Sequence, residues 1–178
     1  MDDSISDIIN SQFKKLLPLI ITILLVLFSC IPLSIPFSKF LRPDVSMVCI
    51  YFWSLYRRDL FGPISVILLG IVSDSLSSLP LGVNIFIYAF TYLLSVSYIH
   101  FINSRSFAIG WLAFSVISFI AFFVKWLLMS FYYSQFLYIL SIFPSYMATV
   151  LFYPLIVRIN IFVQYKFLSN EEVIYEQR

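Results

Sequence analysis

The sequence is poor in charge, in glycine and in the side chains that most enzymes use for catalysis. Only 11% of its 178 residues are charged, against about a quarter in a soluble globular chain. It contains one histidine, two cysteines and four glycines. Its formal net charge of +2 gives no reason to expect a nucleic acid as a partner. This scarcity of charge excludes an ordinary water-soluble fold.

The motifs of the common enzyme classes are also missing. The sequence has no H-E-x-x-H, no G-x-S-x-G, no Walker loop and no G-x-G-x-x-G. His100 has no carboxylate within a few residues, and Cys30 and Cys49 lie in apolar runs without a metal-ligand spacing. We therefore expect no catalytic residue, no cofactor and no metal ligand. A membrane hydrolase is the enzyme class that these absences leave open.

What the sequence has in abundance is apolar side chain. Hydrophobic residues make up 61% of the chain, and it contains 20 Phe and 12 Tyr. A soluble fold of this size has too little interior to bury so much apolar surface, so the surplus must face lipid. We expect an all-α integral membrane protein, a bundle of about six transmembrane helices in a lipid bilayer.

Charges, prolines and glycines divide the chain into six apolar stretches near the length that crosses about 30 Å of hydrocarbon. Pro144 and Pro154 are expected to kink the last of them, because each removes a helix hydrogen bond. The predicted spans are Leu16–Phe37, Phe40–Tyr56, Leu60–Ser78, Val83–Phe101, Phe107–Tyr133 and Phe136–Val157.

The basic residues predict how the bundle is oriented. Lys39 and Arg42 lie outside if the N-terminus is cytoplasmic, and Lys125 lies in the membrane. Because basic residues in short loops stay on the cytoplasmic side, an N-in, C-in topology is favoured. The basic residues that it places inside are Lys14, Lys15, Arg57, Arg58, Arg105, Arg158, Lys166 and Arg178.

This topology divides the chain into three parts. Residues 1–15 form a cytoplasmic N-terminal tail, residues 16–163 the six-helix transmembrane domain, and residues 164–178 a cytoplasmic C-terminal tail. Two interpretations of the N-terminal tail stay open, an interfacial helix or an extension of the first span. The apolar residues at helical spacing that suggest the interfacial helix are Ile5, Ile8, Ile9 and Phe13.

Two ionisable residues, Asp74 and Lys125, fall within predicted spans. A charge in lipid costs at least about 3 kcal/mol unless it is paired or placed against water. Counted from the inner ends of their helices, both lie in the outer third of the bilayer, which permits a pair or a shared polar cavity. The alternative is that Lys125 reaches the outer surface and that Asp74 is solvated or capped near the Pro80 turn.

The segment from Arg42 to Gly82 carries the most specific pattern. A Pro-Asp pair precedes an aromatic helix with Tyr51 and Trp53, a Gly-x-x-x-Asp helix follows, and Leu79-Pro80-Leu81-Gly82 closes it. This pattern resembles the core of the rod shape-determining protein MreD family, over about a quarter of the chain. The matching residues are Pro43, Asp44, Gly70, Asp74, Pro80 and Gly82.

The resemblance implies a non-enzymatic inner-membrane component of the elongation machinery that keeps bacteria rod-shaped and builds the lateral cell wall. It implies MreC, MreB and cell-wall synthases as partners. With Lys125, the matching residues are the candidates for structural and interaction roles. Gly70 permits close approach of helices, and Asp74 lies one turn further on the same face. Polar residues that suggest lateral helix contacts are Ser95, Ser97, Ser115 and Ser118.

A second function fits the same size and helix number. The substrate-binding membrane subunits of vitamin importers are similar in length and also have a glycine-rich third helix followed by a Pro-Gly turn. Asp74 would then face a ligand. Against this function, the first span has no Ala-x-x-x-Ala pattern, and the predicted outer loops are too short to form a lid.

Overall fold

The computed structural model describes residues 17–28, 42–77, 80–98, 107–135 and 138–168. Within these ranges the structure is helical and has no strand. The predicted all-α fold with six helices is confirmed for this part of the chain, whereas the prediction for the N-terminal tail lies outside it. The helices are α1 Leu17–Phe28, α2 Val45–Tyr56, α3 Pro63–Ser77, α4 Val83–Ser97, α5 Phe107–Tyr132 and α6 Phe143–Val163.

Two of the helical segments are long and apolar enough to cross a membrane. They are α5, with 26 residues, and the 28 residues Ile139–Lys166 that contain α6. The other four apolar helices have fewer than 18 residues. At 1.5 Å per residue, α5 is about 39 Å long and α2 about 18 Å.

Several predicted boundaries differ from the observed ones for identifiable reasons. The second span was expected from residue 40, but α2 begins at Val45 because the Asp44 side chain caps it. α3 begins at Pro63 rather than at residue 60, since proline is favoured in the first turn of a helix. α4 ends at Ser97, before the predicted Phe101, and residues 29–37 of the first span lie outside the described residues.

The expected kink at Pro144 is wrong. α6 begins at Phe143, so Pro144 falls in its first turn, where backbone N–H groups have no helical partner anyway. The helix continues to Val163, beyond the predicted end at Val157. Pro154 is the one proline of α6 beyond its first turn.

Helix α2 is the centre of the bundle. Ten of its twelve residues are buried, and it packs against α4 and α6. A helix that is apolar on all sides belongs in a protein core or in a membrane, and here other helices surround it. Its Tyr51 hydroxyl donates to the carbonyl of Gly110 at 2.8 Å, and the Tyr51 ring lies 5.1 Å from that of Phe114. These contacts tie α2 to α5.

Helices α3 and α4 form a tightly packed antiparallel pair. A Cβ atom added at Gly70 would lie 2.6 Å from the Cα atom of Ile85, so only glycine permits this approach of the two backbones. The turn between the helices includes Gly82, whose φ of +108° is readily adopted only by glycine. α4 packs in turn against α2 and α5.

The outer surface of the bundle is apolar while several of its buried residues are polar. In the most apolar window of α5 and of Ile139–Lys166, only 28% and 22% of the residues are buried. Large side chains such as Phe131, Ile64 and Leu112 are 82%, 75% and 65% exposed. Exposed apolar surface of this kind is typical of helices that face hydrocarbon.

Candidate functional site

Polar side chains gather at one end of the bundle, where α2 and α4 begin and where α3 and α5 approach their ends. We call this group the polar cluster. Three of the positions that the sequence singled out, Asp44, Asp74 and Lys125, lie in it. Its members are Asp44, Ser46, Ser73, Asp74, Asn84, Tyr88 and Lys125.

Asp44 connects four helices. Its carboxylate Oδ1 accepts the backbone N–H of Met47 at 3.2 Å, which caps α2, and the hydroxyl of Tyr88 on α4 at 2.8 Å. Its Oδ2 lies 3.9 Å from Nζ of Lys125 on α5. Its own backbone N–H donates to Oγ1 of Thr149 on α6 at 2.9 Å. The residue therefore fixes the start of α2 relative to three other helices.

Hydroxyl groups extend this arrangement from α4 to α3 and back to α2. The Tyr88 oxygen lies 3.0 Å from Oγ of Ser73, and Ser73 lies 3.1 Å from Oγ of Ser46. Tyr88 has one proton, and the carboxylate of Asp44 is the stronger acceptor, so Ser73 is left to donate to Tyr88. All three hydroxyl residues are at most 5% exposed. The chain of hydrogen bonds satisfies groups that lipid and core cannot solvate.

Asp74 caps helix α4 from the neighbouring helix. Its two carboxylate oxygens accept the backbone N–H groups of Gly82 at 2.8 Å and Asn84 at 2.9 Å. The first N–H groups of a helix lack a partner within it, and the helix dipole favours a negative charge there. Asp74 is only 1% exposed. The turn at Pro80 brings the start of α4 back to this carboxylate.

The structure pairs Lys125 with Asp44 and Asn84, and its link to Asp74 is indirect. The Lys125 Nζ donates to Oδ1 of Asn84 at 2.7 Å, while the backbone N–H of Asn84 donates to Asp74. Of the two alternatives for Asp74, the geometry matches a cap at the Pro80 turn. Gly70, one turn before Asp74 on the same face of α3, lies at the contact between α3 and α4.

Sequence reasoning missed Asn84 and Tyr88. Asn84 follows the Pro-Gly turn by two residues, and Tyr88 follows Asn84 by four, so both lie on one face of α4. That spacing was a readable signal, since two polar groups on the inner face of a membrane helix need partners. No sequence pattern could identify Asp44 as the counter-ion of Lys125, because 81 residues separate the two positions.

A cavity of about 410 Å³ adjoins the polar cluster. Its polar lining residues include Asp44, Asn84 and Lys125 together with several serines, and Pro43 lines it as well. Apolar side chains such as Val26 of α1 complete it. Among the described residues no group of three or more His, Cys, Asp and Glu side chains is close enough to hold a metal ion. The arrangement can bind a polar or charged group through one ammonium and several hydroxyls.

Comparison with known proteins gives one family. Residues 10–166, most of the chain, match the family described as rod shape-determining protein MreD. No curated protein and no solved structure matches the chain. MreD proteins are a membrane protein family with a part in shape determination and are not a known enzyme family. The match extends the resemblance seen around Arg42–Gly82 to both ends of the helical bundle, and the chain therefore belongs to the MreD family of rod shape-determining proteins.

Proposed function

We propose that the protein is a non-enzymatic, multi-pass component of the rod-shape complex in the bacterial inner membrane, acting in cell-shape maintenance and lateral cell-wall synthesis. The family match over residues 10–166 carries this proposal. It favours the shape-determining function over the vitamin-importer subunit. The bundle crosses the membrane with residues 1–15 and 164–178 in the cytoplasm and the polar cluster towards the outer surface.

The protein acts through lateral contacts inside the membrane. The described connection between α2 and α3 is six residues long, Arg57–Gly62, so it offers no room for a docking domain. MreC and the membrane-embedded synthases are therefore met by lipid-facing helix surface. MreB, as a cytoplasmic filament, is met through the tails and inner loops. Contacts between helices in lipid depend on close packing, because burial from lipid supplies little hydrophobic driving force.

Helices α4 and α5 supply such surfaces, but only two of the four candidate serines lie on them. Ser95 and Ser118 are fully buried, and their hydroxyls donate to carbonyls of their own helices. They face the bundle and are unsuited to a partner. Ser97 is exposed, and Ser115 is partly exposed. Apolar side chains on the outer faces include Leu93, 62% exposed, Leu112, 65%, and Val116, 60%.

Cysteine crosslinking tests the lateral contact. In a chain with Cys30 and Cys49 replaced by serine, single cysteines are placed at the exposed positions Leu93, Leu112 and Val116. Matched controls are the buried positions Phe114 and Ile117 of α5. We expect crosslinks to the single span of MreC from a subset of the exposed positions, with Leu112 and Val116, about one helical turn apart on α5, behaving alike, and none from the controls. Crosslinks from the aqueous tails alone would contradict lateral contact.

The orientation is tested by reporter fusions at both termini and at Leu81, which is 77% exposed in the turn between α3 and α4. A reporter active only in the periplasm should work at Leu81 and fail at the termini. Activity at either terminus would contradict the N-in, C-in topology. Co-purification then separates the two functions, since retained MreC supports the shape complex and a retained vitamin supports the importer.

A further inference from the structure

We propose that the protein binds one anionic phospholipid at the cavity beside the polar cluster, with the phosphate against Lys125 and Arg42 and an acyl chain in a neighbouring aromatic cavity. This goes beyond the shape-determining function and does not depend on MreC. It is tested on the purified chain alone, so its failure leaves the proposed function untouched.

The first observation is that two cavities of opposite character adjoin. The lining of the 410 Å³ cavity includes every member of the polar cluster except Asp74, together with apolar side chains, and a second cavity of about 240 Å³ is lined by aromatic and aliphatic side chains. Phe122 and Ile142 line both, so the two spaces share a wall. The apolar cavity presents Phe119, Phe123 and Phe143, with Tyr146 as its one polar side chain. A polar compartment adjacent to an apolar one is complementary to an amphiphile.

The second observation is the balance of charge in the polar compartment. Lys125 and Arg42 line it with two positive charges, against the one negative charge of Asp44. Asp74 also carries a negative charge, but both of its oxygens are occupied by the N-terminus of α4. A monoanionic headgroup therefore balances the compartment. The carboxylate of Asp44 faces the same space and excludes an anion from the position next to Tyr88.

The third observation is the incomplete set of contacts around the ammonium group. Among its described contacts, Lys125 makes one hydrogen bond, to Asn84 at 2.7 Å, and its distance of 3.9 Å to Asp44 is too long for a second. An ammonium group has three N–H donors. Ser141 and Ser145 also line this cavity, and the Ser141 hydroxyl already donates to the carbonyl of Tyr138 at 2.6 Å. A phosphate oxygen placed against Lys125 accepts charge-assisted hydrogen bonds from its remaining N–H donors.

The apolar compartment decides for a lipid over a free anion. Inorganic phosphate would use only the polar wall and would leave the aromatic cavity unfilled. The exposed side chains of Ile139, Leu140 and Phe143 place that cavity at the surface where an acyl chain arrives from the bilayer. One ligand that fills both compartments gains hydrophobic contact in the apolar compartment and hydrogen bonds in the polar one.

Native mass spectrometry of the full chain in a neutral detergent tests the site, with phosphatidylglycerol as the anionic probe and phosphatidylcholine as the zwitterionic one. We expect phosphatidylglycerol to bind about tenfold more tightly. The double variant R42Q/K125Q should lose about tenfold or more of that affinity, as expected for lost charge-assisted hydrogen bonds. Arg158→Gln is the matched control. It removes an exposed positive charge that lies about 20 Å along α6 from Ser145 of the cavity, and it should leave binding unchanged.

A blocking variant keeps the test decisive if loss of Lys125 disturbs the fold. Ser141 is exposed at the cavity wall, so Ser141→Trp should fill the space, keep every charge and still abolish preferential binding. Leu93→Trp adds the same ring on α4 away from both cavities and should have no effect. Equal binding of the two lipids, or unchanged binding in Ser141→Trp, overturns the proposal. Complete displacement of the lipid by millimolar inorganic phosphate also overturns it, because a headgroup site alone would then suffice.

Discussion

The indole Nε1 of Trp111 on α5 donates to the carbonyl oxygen of Val150 on α6 at a distance of 3.0 Å. Val150 lies four residues before Pro154, which has no N–H to donate to it. A neighbouring helix thus satisfies the carbonyl that the proline leaves without its helical partner. This is the condition under which a membrane helix tolerates an interior proline.

Trp111→Phe is expected to lower the free energy of unfolding by about 1 kcal/mol, because the carbonyl of Val150 then loses its donor. In a Pro154→Ala background the new N–H supplies the helical bond, so the same change should cost clearly less. Thermal unfolding in detergent of the four proteins of this cycle measures the coupling. Equal costs in both backgrounds would show that Trp111 contributes only through packing.

Gly70→Ala should destabilise the protein by about 1–3 kcal/mol, as overpacking does in other tightly packed interiors. The added methyl would meet backbone atoms of Ile85 at 2.6 and 2.9 Å, and backbone cannot move aside as a side chain can. Gly62→Ala is the control, since an added Cβ there meets nothing within 4 Å. Unfolding midpoints of the two variants that differ by less than their error would refute the close approach.

Asp74→Leu is expected to cost about 3 kcal/mol or more, because the buried N–H groups of Gly82 and Asn84 both lose their acceptor. Asp74→Asn should cost about half as much, since an amide has one acceptor oxygen and sets its NH₂ against the other backbone donor. Ser75→Ala, at an exposed position of the same helix, is the control. Equal loss of stability in Asn and Leu variants would instead mean that the negative charge itself is required at the start of α4.

Lys125→Met should cost about 3 kcal/mol, because it leaves the carboxylate of Asp44 charged without its cation. The side chains of Lys125 and Asp44 are 21% and 13% exposed, so water screens the pair only partly. Asp44→Asn combined with Lys125→Met removes both charges, keeps a side chain able to cap α2, and should be more stable than Lys125→Met alone. The ranking is read from thermal unfolding in detergent, and a double variant less stable than the single one would argue against the pair.

The sequence by itself determined the class of the fold. A chain with 61% hydrophobic residues and few charges favours an all-helical bundle, and the spacing of its apolar stretches located the six helices with errors of up to seven residues at their described ends. The motif from Pro43 to Gly82 was local, because its two helices and their turn follow one another along the chain. The family was therefore recognisable before the structure.

Only the tertiary structure decided how the charges are paired and where the cavities lie. Asp44 and Lys125 are 81 residues apart, and Trp111 and Val150 are 39 apart, so no periodicity connects them. Which face of α4 is buried depends on the contact at Gly70, and that contact sets Asn84 between Asp74 and Lys125. Local patterns fix the helices because their hydrogen bonds are local, whereas partners across helices depend on the packing of the whole bundle.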